Sequence, residues 1–196
     1  KLLSDTSFAK IKLFSRSSVG IENPRIEEHL IDLFQLDNQT ETFTADVVFC
    51  CIGTTKAKTP DKEMYRKIDY GIPVAASELC KKNGIGIFIL VSAMGADPKS
   101  KVFYNKTKGE MERDVLQNEI KNTYILQPSL IGGNRSETRT GEGFAKRMMG
   151  SLDFLIPKKY KMIHPESIAK AMHWLSKNDF SENRITSEKI KEIALR

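Results

Sequence analysis

Ser92, Tyr104 and Lys108 are the residues of this chain whose types and spacing could do chemistry together. Ser92 ends the apolar run IFILVS, and Tyr104 and Lys108 follow it by twelve and sixteen residues within the segment Val102 to Gln117. A separation of four residues puts the phenol and the ammonium on one face of a helix. A phenol whose ordinary pKa is about 10 is a poor base near neutrality. A neighbouring ammonium favours the phenolate, and that would make Tyr104 a usable general acid or base.

The elements that must position these groups follow from hydrophobic pattern. Ile11 to Arg16 reads as a strand, His29 to Phe34 as a weaker one, and Asp46 to Gly53 as the strongest, being short, β-branched and apolar. Lys62 to Asn83 has apolar residues at helical spacing and ends on Asn83-Gly84, a stop signal. Gly86 to Ser92, Val102 to Gln117 and Thr123 to Gln127 then read as strand, helix and strand. This alternation predicts an α/β fold, a doubly wound parallel sheet of the Rossmann type with right-handed crossovers. After Pro128 comes a Gly- and Arg-rich loop from Gly132 to Gly143, then helices at Gly143 to Gly150 and Pro165 to Lys177. At 196 residues a single domain is expected over 1–196, with 132–196 covering the ligand edge.

In such sheets ligands bind outside the carboxyl ends of the strands, where the chain is chemically rich. Ser92 with Y-N-K-T-K at Tyr104 to Lys108 resembles the Ser and Y-x-x-x-K signature of short-chain dehydrogenases/reductases. The segments DVVFCCIGTT from Asp46, LVSAMGAD from Leu90, FYNKTKGE from Phe103, and ILQPSLIGG followed by TRTGE resemble an atypical branch, the Tat-interacting-protein oxidoreductase-like proteins. The likeness runs from about Ile11 to about Trp174. It implies that Tyr104 transfers a proton, that Lys108 also reaches the nicotinamide ribose, and that the Ser92 hydroxyl holds a substrate carbonyl in line with the hydride.

The same resemblance assigns cofactor contacts. Arg16 lies where this fold meets the adenosine ribose, and an Arg there favours the 2′-phosphate of NADP, as an acid would favour NAD. Arg16 and Ser17 are therefore expected to hold that phosphate. Gly53 allows close approach of backbone to ligand, so Ile52, Gly53 and Thr54 are expected along the adenine and ribose. Relatives often carry R-P-G after the strand that precedes the C-terminal cover; here it is Gln127-Pro128-Ser129, with Ile131 a candidate nicotinamide neighbour. Arg139, in TRTGE, matches an Arg aimed at the cofactor phosphates. Asp69 lies near where many relatives carry a catalytic Asn, and is read as a solvated or capping helix-face acid. Cys50 and Cys51 read as small core residues, and His164 and His173 as surface or core residues. The family's G-x-x-G-x-x-G turn does not occur in the chain. Lys1-Leu2-Leu3-Ser4-Asp5 begins without Met and reads as the tail of an amphipathic helix, so the first strand and its Gly-rich turn are expected to precede Lys1.

Composition narrows the classes further. Hydrophobic residues make up 40% and charged residues 29%, as in a soluble globular protein. No apolar run approaches the roughly 18 residues of a membrane span. The net charge of +6 is scattered among acids, so a solvated surface is expected rather than a nucleic-acid partner. Three cysteines make a poor disulfide framework and a poor zinc site, so no metal and a reducing, cytoplasmic setting are expected. The leading function is an NADP-dependent oxidoreductase acting on an unidentified small-molecule carbonyl or alcohol. A non-catalytic dinucleotide-binding regulator with a protein partner is the first alternative, and a nucleotide-sugar epimerase or dehydratase the second.

Overall fold

The structure is a computed structural model that describes residues 1–132, 157 and 160–196. Two parallel sheets carry the fold. Strands β1 (Ile11–Ser15) and β2 (Ile26–Leu30) pair with Ile11 opposite Ile26. Strands β3 (Val47–Cys50), β4 (Ile87–Val91), β5 (Asn122–Gln127) and β6 (Arg184–Thr186) form the larger sheet in that order, all parallel. Parallel neighbours need crossovers, and the helices supply them: α1 (Lys62–Arg66) and α2 (Ile72–Lys82) lead from β3 to β4, and α3 (Phe103–Gln117) leads from β4 to β5. Helices α4 (Pro165–Leu175) and α5 (Ser187–Ile193) flank β6 in sequence.

The pleat sends successive side chains to opposite faces, and each face has its own core. Phe88, Leu90 and Ile125 pack with Cys50 against α2 and α3 through Ile72, Leu79, Met111 and Val115. Ile89, Tyr124, Leu126 and Ile185 pack against α4 and α5 through Ile168, Leu175, Ile190 and Ile193. Helices on both faces make the doubly wound α/β arrangement expected from the sequence.

Several local expectations are corrected. The weak second strand lies at Ile26–Leu30 rather than at His29 to Phe34, because the Asp32 carboxylate accepts from the Phe34 N–H and starts a 3-10 segment, Leu33–Gln39. Leu2–Ser4 forms one 3-10 turn. The span Lys62 to Asn83 is not uniform: a π turn at Lys67–Gly71 separates α1 from α2. Pro73 accounts for it, since it has no N–H to give the carbonyl four residues back, at Asp69. Residues 184–196, expected within a covering tail, add a strand and a helix to the sheet. The predicted helix at Gly143 to Gly150 and nearly all of the Gly132 to Gly143 loop lie outside the described residues.

Candidate functional site at the ends of β3 and β4

The carboxyl end of β3 and the first half of α3 meet at a buried ion pair. The Lys108 ammonium lies 2.8 Å from Asp69 Oδ1, with side chains only 5% and 1% exposed. The π turn places Asp69 there, and its Oδ2 accepts from the Thr54 N–H at 2.7 Å. This differs from the solvated acid expected of a helix face. The signal was Pro73, four residues on, which breaks the helical ladder where Asp69 sits.

Gly53 faces the pair. A Cβ at that position would lie 3.4 Å from Asp69 Oδ1 and 3.8 Å from Lys108 Nζ, so glycine leaves the backbone open beside the ammonium. Gly53 is exposed, while Ile52 and Thr54 are half-buried, and the Thr54 and Thr59 hydroxyls bond at 2.9 Å. The structure thus brings Gly53, Thr54, Lys108 and Asp69 together.

Tyr104 is 40% exposed and stands one turn before Lys108 on α3. Its ring packs edge-on to Tyr65 at 6.4 Å, and Tyr65 packs edge-on to Phe103 at 5.7 Å. Gly109, just after Lys108, lets α3 approach the preceding loop: a Cβ there would stand 2.2 Å from the Asp97 carbonyl carbon and from the Pro98 nitrogen. The Asp97 N–H donates to the Asn105 carbonyl oxygen at 3.0 Å in the same contact.

Ser92 is 6% exposed, and its hydroxyl donates to Glu112 Oε1 at 2.6 Å. A hydroxyl has one proton, so in this arrangement Ser92 can accept from a ligand but has no proton left for a carbonyl oxygen. Glu112, 1% exposed, also accepts from Gln127 Nε2 at 3.0 Å and from Arg184 Nε at 2.8 Å. Sequence reasoning singled out neither Glu112 nor Arg184.

The other expected contacts lie apart from this cluster. Arg16 and Ser17 are exposed in the turn after β1, where the Ser15 hydroxyl donates to the Ser17 carbonyl oxygen at 2.8 Å. Ile131 is half-buried, bridges to Ile163 and packs with the core under α4 and α5. Arg139 lies outside the described residues. The paired cysteines of β3 divide: Cys50 is buried and Cys51 exposed, which corrects the reading of both as core. Burial pushes the Cys50 thiol up to about 11 and the Cys80 thiol up to about 12.

No family model matches the chain. Among curated proteins it is similar to Protein FMP52, mitochondrial, of Candida albicans, 39% identical over 51% of this chain and 44% of that protein. It is similar also to Protein HTATIP2 of Rattus norvegicus, 30% identical over 78% of this chain and 64% of that protein. With Protein fmp52, mitochondrial, of Aspergillus niger it shares 30% identity over 76% of this chain and 67% of that protein. The chain therefore spans about half to two thirds of the length of these relatives. Solved structures of low sequence identity share the fold. MoeE5 in complex with UDP-glucuronic acid and NAD superposes with a TM-score of 0.66 at 15% identity, over 93% of this chain and 69% of that one. The ADP-L-glycero-D-manno-heptose-6-epimerase of Helicobacter pylori superposes at 0.65 and 14%, over 98% and 75%. With its parallel sheet wound on both faces and a sequence alike over two thirds of a relative's length, the chain belongs to the FMP52 and HTATIP2 family of atypical, NAD(P)-binding short-chain dehydrogenases/reductases.

Proposed function

We propose that the protein is an NADP-dependent oxidoreductase that interconverts a small carbonyl compound and its alcohol. The observation that carries this reading is the Lys108–Asp69 pair beside the open backbone of Gly53, with Tyr104 one turn away on the same helix. A glycine whose missing Cβ leaves room next to a buried ammonium suits a ribose edge, with Lys108 donating to its hydroxyls and Ile52, Gly53 and Thr54 along its flank. Hydride transfer is what a nicotinamide supplies when bound. The protein's part is to hold the ribose at Lys108 and to move a proton at the Tyr104 phenol oxygen. Ile131 and Arg139 remain candidate contacts to the nicotinamide and the phosphates. Ser92 serves a carbonyl substrate only if its hydroxyl turns from Glu112; otherwise it orients the alcohol by accepting from it.

Arg16 supports NADP over NAD. It is exposed at the carboxyl end of β1, has no ion-pair partner among the described residues, and stands beside Ser17. A charge-assisted contact to a 2′-phosphate is worth about 1.5–3 kcal/mol. Arg16→Ala should therefore weaken NADPH binding tenfold or more and leave NADH nearly unchanged. Equal losses for both would reject the assignment. Tyr104→Phe should abolish turnover of any aldehyde, ketone or quinone found by screening with NADPH, while cofactor affinity stays within a few fold. Turnover that survives this change would reject the proton-transfer role.

A second reading, a nucleotide-sugar epimerase or dehydratase, is favoured by the fold shared with MoeE5 and the heptose epimerase. Epimerisation regenerates its cofactor, so isomer conversion without net NADPH oxidation would select it. A regulatory dinucleotide-binding role with a protein partner is the reading to adopt if NADPH binds tightly and no substrate turns over. We infer one domain over the whole chain, with part of 132–196 at the ligand edge. We also infer a reducing compartment, for which the free thiols of Cys50, Cys51 and Cys80 are suited. That compartment is the cytoplasm on the sequence reading; the mitochondrial label belongs to the relatives' names. No helix among the described residues is long and apolar enough to cross a membrane.

A further inference from the structure

The buried carboxylate of Glu112 gathers donors from the larger sheet. Oε1 accepts from the Ser92 hydroxyl, just past the end of β4, and from Gln127, the last residue of β5. Oε2 accepts from Gln127 and from Arg184, the first residue of β6. The pleat explains why these three meet. Ser92 is in phase with Phe88 and Leu90, Gln127 with Ile125, and Arg184 is out of phase with Ile185, so all three face α2 and α3. A buried carboxylate is tolerated only when it is paired and hydrogen-bonded. Arg184 supplies the countercharge from the surface, its side chain being 48% exposed against 1% for Glu112.

Tyr104, Lys108 and Glu112 recur every four residues along α3, so they form one row with steps of about 6 Å. Two anchors follow Lys108 along α3. The close backbone contact at Gly109 holds the helix against the Asp97–Pro98 loop, and Glu112 holds it against the sheet one turn further on.

We propose that Glu112, neutralised by Arg184, is a positioning residue that fixes α3 so that Lys108 meets Asp69 and Gly53. The proposal rests on the reading of Lys108 as a cofactor contact only for its consequence on binding; the placement of Lys108 itself can be measured without cofactor. Glu112 touches no reacting group. It acts through the helix and through the direction of the Ser92 proton.

The test is the rate at which an amine-acylating reagent labels Lys108, read residue by residue by mass spectrometry, alongside NADPH titration and thermal unfolding. Glu112→Gln and Arg184→Gln should each raise Lys108 labelling fivefold or more and weaken NADPH binding by a similar factor. Arg184→Lys, which restores a cation, should return both to within about twofold of wild type. Met111→Ala is the structural control: it opens a cavity in the core beside Glu112 and lowers the melting temperature, yet should leave Lys108 labelling unchanged. Labelling that stays at the wild-type rate in Glu112→Gln, or that rises equally in Met111→Ala, overturns the proposal. A rise in Glu112→Gln with none in Arg184→Gln overturns the countercharge role of Arg184. If wild type binds no NADPH while labelling follows the expected pattern, the cofactor reading fails and the positioning role stands.

Discussion

Asp69→Ala is the substitution whose cost can best be worked from the geometry. It leaves two donors without their acceptor: the buried Lys108 ammonium, 2.8 Å from Oδ1, and the half-buried Thr54 N–H, 2.7 Å from Oδ2. Removing one partner of a buried ion pair costs about 3–5 kcal/mol, and orphaning a buried amide about 1–3 kcal/mol. The two losses share one carboxylate and do not add fully, so a total of about 4–6 kcal/mol is expected. That is a large part of the roughly 5–15 kcal/mol that holds a domain together. At about 2–4 °C per kcal/mol for a chain of this size, the melting temperature should fall by about 8–24 °C. Asp69→Asn keeps an acceptor for Thr54 and should lose about half as much. Changing Lys108→Met in the Asp69→Ala background removes the stranded charge and should recover about 2 kcal/mol or more, as coupling in a double-mutant cycle. The assay is thermal unfolding followed by circular dichroism. A melting temperature within about 2 °C of wild type for Asp69→Ala would refute the buried pair as a determinant of the fold.

Gly109→Ala should destabilise despite the better helix propensity of alanine. The gain of about 1 kcal/mol is outweighed by a Cβ forced to 2.2 Å from backbone that cannot swing away, for a net loss of about 2 kcal/mol or more, visible as a lower denaturation midpoint; a rise in the midpoint would contradict it. Burial raises all three thiols, Cys50 to about 11 and Cys80 to about 12, but only Cys51 is exposed, so iodoacetamide at pH 8 should modify Cys51 faster than Cys50 and Cys80 in the folded protein; equal labelling of all three would contradict this. The Asp5 carboxyl is held well below the usual carboxylate range by the Lys177 ammonium and by Ser7. A depressed acid contributes stability above its unfolded value and loses it as the pH falls through its folded one. The stability difference between wild type and Asp5→Asn should therefore shrink as the pH falls below about 4. A difference that grew below that pH would reverse the sign.

Much of the fold was readable from the chain because its strands are short, apolar and separated by helical periodicity. Ile87–Val91 and the middle of Asn122–Gln127 are buried between helix layers, Val47–Cys50 is half-buried beside them, and such strands read as short apolar runs. β6 escaped for the opposite reason. It has three residues, two of them polar and exposed, and only Ile185 reaches the core, so no pattern of local length could show it. Cys51 was misplaced because a run that is apolar in sequence does not reveal where a strand ends. Pairing stops at Cys50, and the next residue is already in the exposed turn that leads to Gly53.

The site was legible in part, and the missing part shows which kind of pattern carries it. Motif spacing placed Tyr104 and Lys108 on one helix and Ser92 at a strand end, but a motif does not say where a hydroxyl points. Phase does. Ser92 falls two residues beyond Leu90 and four beyond Phe88, both of which face α2 and α3, so its side chain had to point toward α3 rather than along the strand toward the ligand edge. On α3, Glu112 continues the row of Tyr104 and Lys108, so the same bookkeeping of phase puts a carboxylate opposite that serine. What phase could not supply was the countercharge. Arg184 comes from a strand with no sequence signature, seventy-two residues from Glu112. An acid that would have looked uncompensated in the sequence is paired only once the last strand of the sheet is in place.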